Sequence, residues 1–234
     1  MLESLGKFED ISSFDITIIE NNRRRILGGK PEFTLPHKFV ANGAPKGYAA
    51  NVNAAFSKIS GDYFCTINPD VIFTQEIFKS LERDVRGGRG DIVAPIVQDR
   101  RGRLQDSARS LPTPGRLVWR RLVPWLQRPK WPSDLPEHPD WIAGVLLFMR
   151  SELFHALGGF DEGYFLYFDD VDFCTRARIA GYRLFLDREV QVVHDARRAS
   201  RRHPRFLARH LSSAYRFFTS DAYRTARALQ NPKA

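Results

Sequence analysis

Residues 158–185 read GGFDEGYFLYFDDVDFCTRARIAGYRLF and form the most informative stretch of this chain. Five carboxylates fall within it although the formal net charge of the chain is +9: Asp161, Glu162, Asp169, Asp170 and Asp172. Carboxylates this close raise one another's pKa, so their density indicates a place where a cation binds or a proton is taken. The simpler alternative is an acidic first helical turn that complements the helix dipole.

Outward from this stretch, apolar β-branched runs alternate with segments of helical periodicity. Strands are predicted at 14–20, 38–42, 63–68 and 91–97, in YRLFLD and in VQVVH. The stretch itself turns at Gly158 and Gly159 and becomes helical from Asp169. This alternation predicts an α/β fold, a mostly parallel sheet flanked by helices, whose ligands bind at the carboxyl ends of the strands.

Length and composition limit the class of protein. The 234 residues, 43% of them hydrophobic, suit one α/β domain with a substantial core. The two cysteines, Cys65 and Cys174, sit among apolar neighbours and are too few for a disulfide framework, which favours a cytoplasmic protein. No apolar run approaches the roughly 20 residues that span a bilayer. We therefore expect a soluble protein, or one bound peripherally at the inner membrane face.

Arginines concentrate in two segments, 100–128 and 197–209. Such clusters attract phosphates, whether of a nucleotide, a nucleic acid or an anionic lipid. A nucleic-acid-binding protein is one alternative, but the chain has no recognised binding module and its aromatic residues lie in apolar runs. We therefore expect no nucleic-acid partner.

Polar residues follow the predicted strands at Glu20, Asn42, Asp70 and His194. Asp70 is held by an Asn-Pro turn, because Pro69 fixes its own backbone and restricts that of Asn68. A carboxylate and an imidazole at neighbouring strand ends can share a divalent ion with substrate phosphates. A turn-closing role for Asp70 and a structural role for His194 are the open alternatives.

A series of motifs in this chain resembles the family 2 glycosyltransferases of the GT-A fold, within them the bacterial rhamnosyltransferase-like group. The matching segments cover about residues 14–200, in family order: NGAPKGYAANVNAAF, YFCTINPDVIF, IVAPIVQDRRGRLQDSARSLPTP, WIAGVLLFMR, GGFDEGYFLYFDDVDFCTRARIAGYRLFLD and VVH. The resemblance implies inverting transfer of a sugar, with rhamnose a candidate, from a nucleotide-diphosphate donor. The implied acceptor is a hydroxyl of a saccharide or a lipid-linked glycan in cell-surface polysaccharide synthesis.

The same resemblance implies roles for individual residues. Asp170 matches the general base and Asp169 its acidic neighbour, and Asp70 matches the metal ligand of a DXD variant in which Asn68 replaces the first carboxylate. His194 closes the nucleotide and metal site, so the expected cofactor is Mn²⁺ or Mg²⁺. The remaining matches are donor-binding for Glu20, Asn42, Asn53 and Asn68, and acceptor-binding for Trp141, Gly144 and Asp161. Asp169 and Asp172 are expected to hold the pKa of Asp170 upward.

One departure from the family concerns its first strand, which we expect this chain to lack, either because it is truncated at its N-terminus or because another segment or subunit replaces that strand. The segment MLESLGKFED looks like the end of the helix that follows that strand. A catalytically silent relative, acting as a scaffold or partner subunit, is therefore a further alternative, and an oligomer is compatible with the sequence.

We predict a catalytic domain at 1–200, with an Arg- and Pro-rich arm at 103–139, and a basic helical extension at 201–234. Within residues 196–218, Leu207, Leu211, Ala214, Tyr215 and Phe218 can share one helical face flanked by arginines. This pattern predicts contact with an anionic membrane, or else a helix packed on the core.

Overall fold

The computed structural model describes residues 1–21, 37–123, 129–194 and 204–230. The α-helices of these ranges are α1 (Leu2–Phe8), α2 (Tyr48–Phe56), α3 (Phe78–Arg86), α4 (Pro114–Leu122), α5 (Ser151–Ala156), α6 (Asp169–Ile179), α7 (Pro204–Thr219) and α8 (Asp221–Gln230). The strands are β1 (Thr17–Glu20), β2 (Lys38–Ala41), β3 (Tyr63–Ile67), β4 (Val71–Phe73), β5 (Ile92–Gln98), β6 (Ala108–Arg109), β7 (Trp141–Ile142), β8 (Leu146–Arg150) and β9 (Leu184–His194). The predicted α/β class is confirmed.

The central sheet has five strands in the order β3-β8-β5-β9-β4. Only β5 and β9 pair in parallel among its described strands, whereas β3 with β8, β8 with β5 and β9 with β4 are antiparallel. The prediction of a mostly parallel sheet is therefore wrong for this sheet. Apolar runs indicate buried strands but not their direction, and the short turn at 68–70 reverses the chain between β3 and β4.

Strand β9 joins two segments that the sequence predicts as separate strands. Its register against β5 shifts between Pro95 and Ile96, where Pro95 pairs with Asp187 and Ile96 with Gln191. Proline lacks the N–H that a regular ladder needs, so it is found in a sheet at such an irregularity. The two predicted strands, YRLFLD and VQVVH, are therefore one strand with an irregular centre.

Strands β1 and β2 form a separate parallel pair. On the five-stranded sheet, the Asn68 N–H donates to the Val145 carbonyl and the Ser151 N–H to the Asp62 carbonyl, so even-numbered residues of β3 bond to β8. The backbone groups of Tyr63, Cys65 and Ile67 consequently point to the other edge. No strand of the described residues pairs with that edge of β3.

Two apolar clusters cover the two faces of the central sheet. Alternate residues of β5 divide between them, with Ile92 and Ala94 in one cluster and Val93 and Val97 in the other. The first cluster packs against α2, α5 and α6, and the second against α1 and α3.

Helices α7 and α8 also belong to the first cluster, through Ala214, Phe217 and Ala226. The predicted C-terminal extension thus contributes to the main core. No described helix is long and apolar enough to cross a membrane.

Candidate active site

A cleft of about 1250 Å³ opens between the start of α6, strand β7 and helix α4. The residues on its walls include the predicted Asn68, Trp141, Gly144, Asp169 and Asp170. The structure thus brings five predicted site residues, spread from position 68 to position 170 of the sequence, to one cleft.

Asp170 is held rigidly at this cleft. Its Oδ2 accepts the Gly144 N–H at 2.8 Å, and its Oδ1 accepts the Val171 N–H at 2.8 Å. Burial raises the pKa of the Asp170 carboxyl, while these two N–H groups and the charge of Arg109 oppose the rise. The result is a fixed carboxyl group whose proton affinity is above the ordinary range, which suits a general base.

Asp169 is more deeply buried, with 6% of its surface exposed. Burial first, and then the negative charge of Asp170, raise the pKa of Asp169 to about 8. Asp172 turns away from the pair, because its Oδ2 accepts a hydrogen bond from Arg176 Nε at 2.7 Å. The main cause of the raised pKa of Asp170 is therefore burial, rather than the expected charges of Asp169 and Asp172.

Two residues before α6 have left-handed backbones that non-glycine residues rarely adopt. Tyr167 has a φ of 70° and Phe168 a φ of 64°. Each such residue costs on the order of 1–3 kcal/mol and persists only when surrounding structure holds it. Here α7 supplies that support, since the Phe168 ring packs against Phe217 and His210, and Ser213 Oγ donates to the Leu166 carbonyl at 3.0 Å. The strain thus lies directly at the residues that present the carboxylates.

Asp70 and His194 meet as the sequence predicts. His194 Nε2 lies 3.2 Å from Asp70 Oδ1, and Val71, the next residue, pairs with His194 in the register of β4 and β9. On the other side of the ring, His194 Nδ1 lies 3.4 Å from Gln105 Oε1, and Gln105 Nε2 donates to the His194 carbonyl. Gln105 therefore fixes the orientation of the imidazole.

This pair fits a divalent cation that also binds phosphate oxygens. A carboxylate oxygen and an imidazole nitrogen suit Mn²⁺, and the carboxylate suits Mg²⁺ as well. No group of three or more His, Cys, Asp or Glu residues that could hold a metal occurs in the described ranges. An ion at Asp70 and His194 would consequently depend on ligands from the substrate.

The residues predicted to bind the donor lie in different parts of the structure. Asn42 Nδ2 donates to Asn51 Oδ1 at 2.8 Å and to Asn21 Oδ1 at 3.0 Å, in a cluster that also binds the backbone of Lys46. Asn68 lies on the cleft wall. Glu20 is buried at the end of β1.

Asn53 lies elsewhere. Its Oδ1 accepts the Phe160 N–H at 2.9 Å, and its Nδ2 donates to the Phe160 carbonyl at 2.9 Å. Its amide therefore clamps the loop that begins at Gly159, where a Cβ would approach Asn53 Oδ1 to 2.5 Å.

Two of the three residues predicted to bind the acceptor lie at the cleft, and the third does not line it. Trp141 lies on the cleft wall, with Arg109 stacked 4.8 Å from its ring centroid, and Gly144 contributes the N–H that holds Asp170. Asp161 is not among the cleft-lining residues and instead forms an ion pair of 2.7 Å with Arg216 of α7. Although burial opposes it, the hydrogen bonds from Arg216 and the Gly163 N–H lower the pKa of Asp161.

Sequence reasoning missed Tyr48 and Gln105. Tyr48 lies on the cleft wall near Asp169 and Asp170, and its hydroxyl donates to the Gly144 carbonyl at 3.4 Å. Both residues sit in segments whose motifs were recognised, but neither is followed by a break in the apolar pattern that marks a functional position.

Comparison with curated proteins gives relatives that are named glycosyltransferases. The chain is 28% identical over 204 residues to an N-acetylglucosaminyl-diphospho-decaprenol L-rhamnosyltransferase of Mycobacterium tuberculosis, a match of 77% of this chain and 66% of that protein. It is 26% identical over 233 residues to the rhamnosyltransferase WbbL of Escherichia coli K12, covering 93% and 86% of the two chains. The chain thus spans slightly less than two thirds of the mycobacterial relative. No family model matches it.

Comparison with solved structures identifies the fold. GalNAc-T7 with UDP, GalNAc and Mn²⁺ superposes with a TM-score of 0.62 at 15% identity, over 84% of this chain and 40% of that one. Staphylococcus aureus TarS, residues 1–349 with UDP-GlcNAc, gives a TM-score of 0.60 at 13% identity, over 100% and 68%. Both are GT-A glycosyltransferases, so the GT-A fold predicted from the motifs is confirmed.

Proposed function

Because the chain is a homologue of rhamnosyltransferases and has the GT-A fold, we propose that it is an inverting glycosyltransferase. It moves a sugar, with rhamnose as the first candidate, from a nucleotide-diphosphate donor to an acceptor hydroxyl. The acceptor is a saccharide or a polyprenyl-linked glycan of cell-surface polysaccharide synthesis, in keeping with the diphospho-decaprenol substrate in the mycobacterial relative's name.

The observation that carries this proposal is the position of Asp170. Its carboxyl group lies on the wall of a large cleft, fixed by two backbone N–H groups and raised in pKa by burial. A fixed base of raised proton affinity can accept the acceptor's hydroxyl proton as the oxygen attacks the anomeric carbon. Attack from the face opposite the leaving group inverts that carbon in one displacement.

The donor diphosphate belongs at the carboxyl ends of β3 and β9. Asp70 and His194 would hold a divalent cation there, which neutralises the charge that develops on the leaving diphosphate. Gln105 keeps the His194 ring in place for this role. We assign nucleotide contacts to Glu20, Asn42 and Asn68, each of which ends or directly follows a strand.

The acceptor belongs on the side of Trp141 and Gly144. Trp141 is buried and stacks on Arg109, so it holds the Arg109 guanidinium at the acceptor side of the cleft, where its positive charge can meet acceptor oxygens. A lipid-linked acceptor requires the enzyme to work at the cytoplasmic membrane surface. Peripheral contact with an anionic membrane is therefore part of this proposal.

Donor turnover tests the function directly. Purified protein is incubated with dTDP-rhamnose and other nucleotide sugars, Mn²⁺ and a water-soluble acceptor that carries a diphosphate-linked N-acetylglucosamine. We expect glycoside formation that Asp170→Asn lowers by a factor on the order of 100 or more, with donor affinity near that of the wild type.

Donor binding without turnover in the wild type would instead favour the catalytically silent relative. No donor binding at all would reject both.

A further inference from the structure

Four large apolar side chains are exposed at the mouth of the cleft. On α4, Val118 is 60% exposed, Trp119 54% and Leu122 64%, and Trp131 is 68% exposed. We call these four residues the rim surface. Single exposed apolar residues are ordinary, but a group of four that includes two tryptophans marks an interaction surface.

The local structure explains why α4 presents these side chains. Thr113 caps the helix by accepting the Arg116 N–H, and Pro114 stands in its first turn, so local signals define its start. Leu117 turns inward and packs against the first apolar cluster. Val118 and Leu122 are four residues apart and share a face that points away from that core.

The rim surface lies beside the catalytic cleft. Arg116, Leu117 and Trp119 of α4 line the cleft, together with Pro129 and Ser133 on either side of Trp131. A partner that binds the rim surface would therefore lie directly beside the cleft that holds Asp170.

The basic residues around the rim surface indicate that its binding partner is negatively charged. Residues 107–133 contain six basic residues and no carboxylate: Arg109, Arg116, Arg120, Arg121, Arg128 and Lys130. Arg116 is exposed at the cleft. Tryptophan with arginine beside exposed aliphatic residues is the composition of helices that lie in the headgroup region of anionic bilayers.

We propose that the rim surface is a membrane-docking site for anionic phospholipid. Val118, Trp119, Leu122 and Trp131 enter the headgroup boundary while the exposed Arg116 and Lys130 meet lipid phosphates. The cleft then opens at the bilayer surface, where the glycan of a polyprenyl-linked acceptor stands while its chain stays in the membrane. This inference rests on the proposed function for the acceptor, but lipid binding is independent of catalysis.

Helix α7 is the competing surface, because its sequence predicts membrane contact. Ala214 and Phe217 of α7 are buried in the core, and Phe218 is partly buried against it. Leu211 and Tyr215 remain exposed, at 56% and 74%. They give a matched control of similar exposure, and neither of them lines the cleft.

The test uses the full chain with vesicles of phosphatidylcholine, alone or mixed with phosphatidylglycerol, at low and high salt. The rim variant is Val118→Ser, Leu122→Ser, Trp131→Ser, none of which lines the cleft, and the control is Leu211→Ser, Tyr215→Ser. We expect wild-type binding only to anionic vesicles and weaker at high salt, a loss of about tenfold or more in the rim variant, and a change below about twofold in the control.

Trp119 remains in the rim variant and the control as a fluorescent reporter. In the wild type and the control, quenching of tryptophan fluorescence by brominated lipid should report insertion of Trp119. In the rim variant and the control, thermal unfolding and turnover of the soluble acceptor should stay near the wild-type values. Equal vesicle binding by wild type and rim variant, loss in the α7 control instead, or indifference to lipid charge would overturn the proposal. Vesicle binding without turnover would reject only the proposed function.

Discussion

The Gly144 N–H donates to Asp170 Oδ2 at 2.8 Å, across 26 residues of sequence. The contact leaves little room for a side chain at Gly144, because a Cβ there would lie 3.3 Å from the Asp170 Cβ, which is closer than ordinary van der Waals contact. The segment before β8 thus sets both the direction of the carboxylate and its distance from the cleft wall.

Gly144→Ala should therefore displace the Asp170 carboxyl by a few tenths of an ångström. Small misplacement of a reacting group is costly, so we expect turnover to fall by a factor on the order of 10 to 100 with little change in stability. Steady-state kinetics and thermal unfolding measure the two effects. Gly43→Ala is the matched control, since a Cβ at Gly43 meets nothing within 4 Å. Wild-type turnover in Gly144→Ala would mean that Asp170 is not held by this contact.

The carboxyl pair predicts a pH profile. Burial raises the pKa of both Asp169 and Asp170, that of Asp169 to about 8, and the base acts only when ionised. Activity should consequently rise with pH as the pair loses its shared proton, above the range of an ordinary carboxyl. Because burial rather than the charge of Asp169 raises the pKa of Asp170, Asp169→Asn should leave the rising limb of kcat/KM close to its wild-type pH.

The roles of Asp169 and Asp170 are distinguished by how much turnover each substitution removes. Asp169→Asn should retain most of the maximal turnover, whereas Asp170→Asn should lose it at every pH. Equal losses would reassign the pair to positioning of the sugar or the metal. A rising limb that moves to lower pH in Asp169→Asn would show that the charge of Asp169, and not burial, raises the pKa of Asp170.

Much of the fold could be predicted because local signals and tertiary contacts agree. The apolar runs from Tyr63 and Ile92 become β3 and β5, and the turn and helix around Asp169 form as the glycines and spacing indicate. Strand direction could not be predicted, since β8 and β4 have the same apolar patterns as parallel strands. The continuity of β9 was hidden by polar residues at its irregularity beside Pro95.

Some residues of the candidate site could likewise be predicted from the sequence, and others could not. Asp70 and His194 each follow or end an apolar strand, so their meeting could be predicted from topology. Asp161 and Asn53 could not be assigned, because carboxylates and amides serve equally in loop structure and in substrate binding. The strained backbone of Tyr167 and Phe168 has no sequence signal at all, since it depends on α7, which lies about 40 residues later.

Asp161 and Arg216 give a prediction that separates a structural role of Asp161 from the predicted acceptor-binding role. Their ion pair is partly exposed, so Asp161→Asn and Arg216→Gln should each cost about 1 kcal/mol or less in unfolding free energy. Because the two residues contact each other, the double variant should cost less than the sum. Chemical denaturation of the four proteins completes the cycle. An increase in the acceptor KM of Asp161→Asn, without loss of stability, would instead support the predicted acceptor-binding role.

Asp70 gives the prediction that separates a metal site from a closed turn. If Asp70 and His194 hold a cation against the donor diphosphate, Asp70→Ala should weaken binding of a nucleoside diphosphate about tenfold or more in Mn²⁺. Without metal, both proteins should bind equally weakly. Asp62→Ala is the matched control, because Asp62 is exposed at the opposite end of β3. Calorimetric titration with and without Mn²⁺ measures all three, and a metal-dependent affinity that survives in Asp70→Ala would leave Asp70 as the residue that closes the turn.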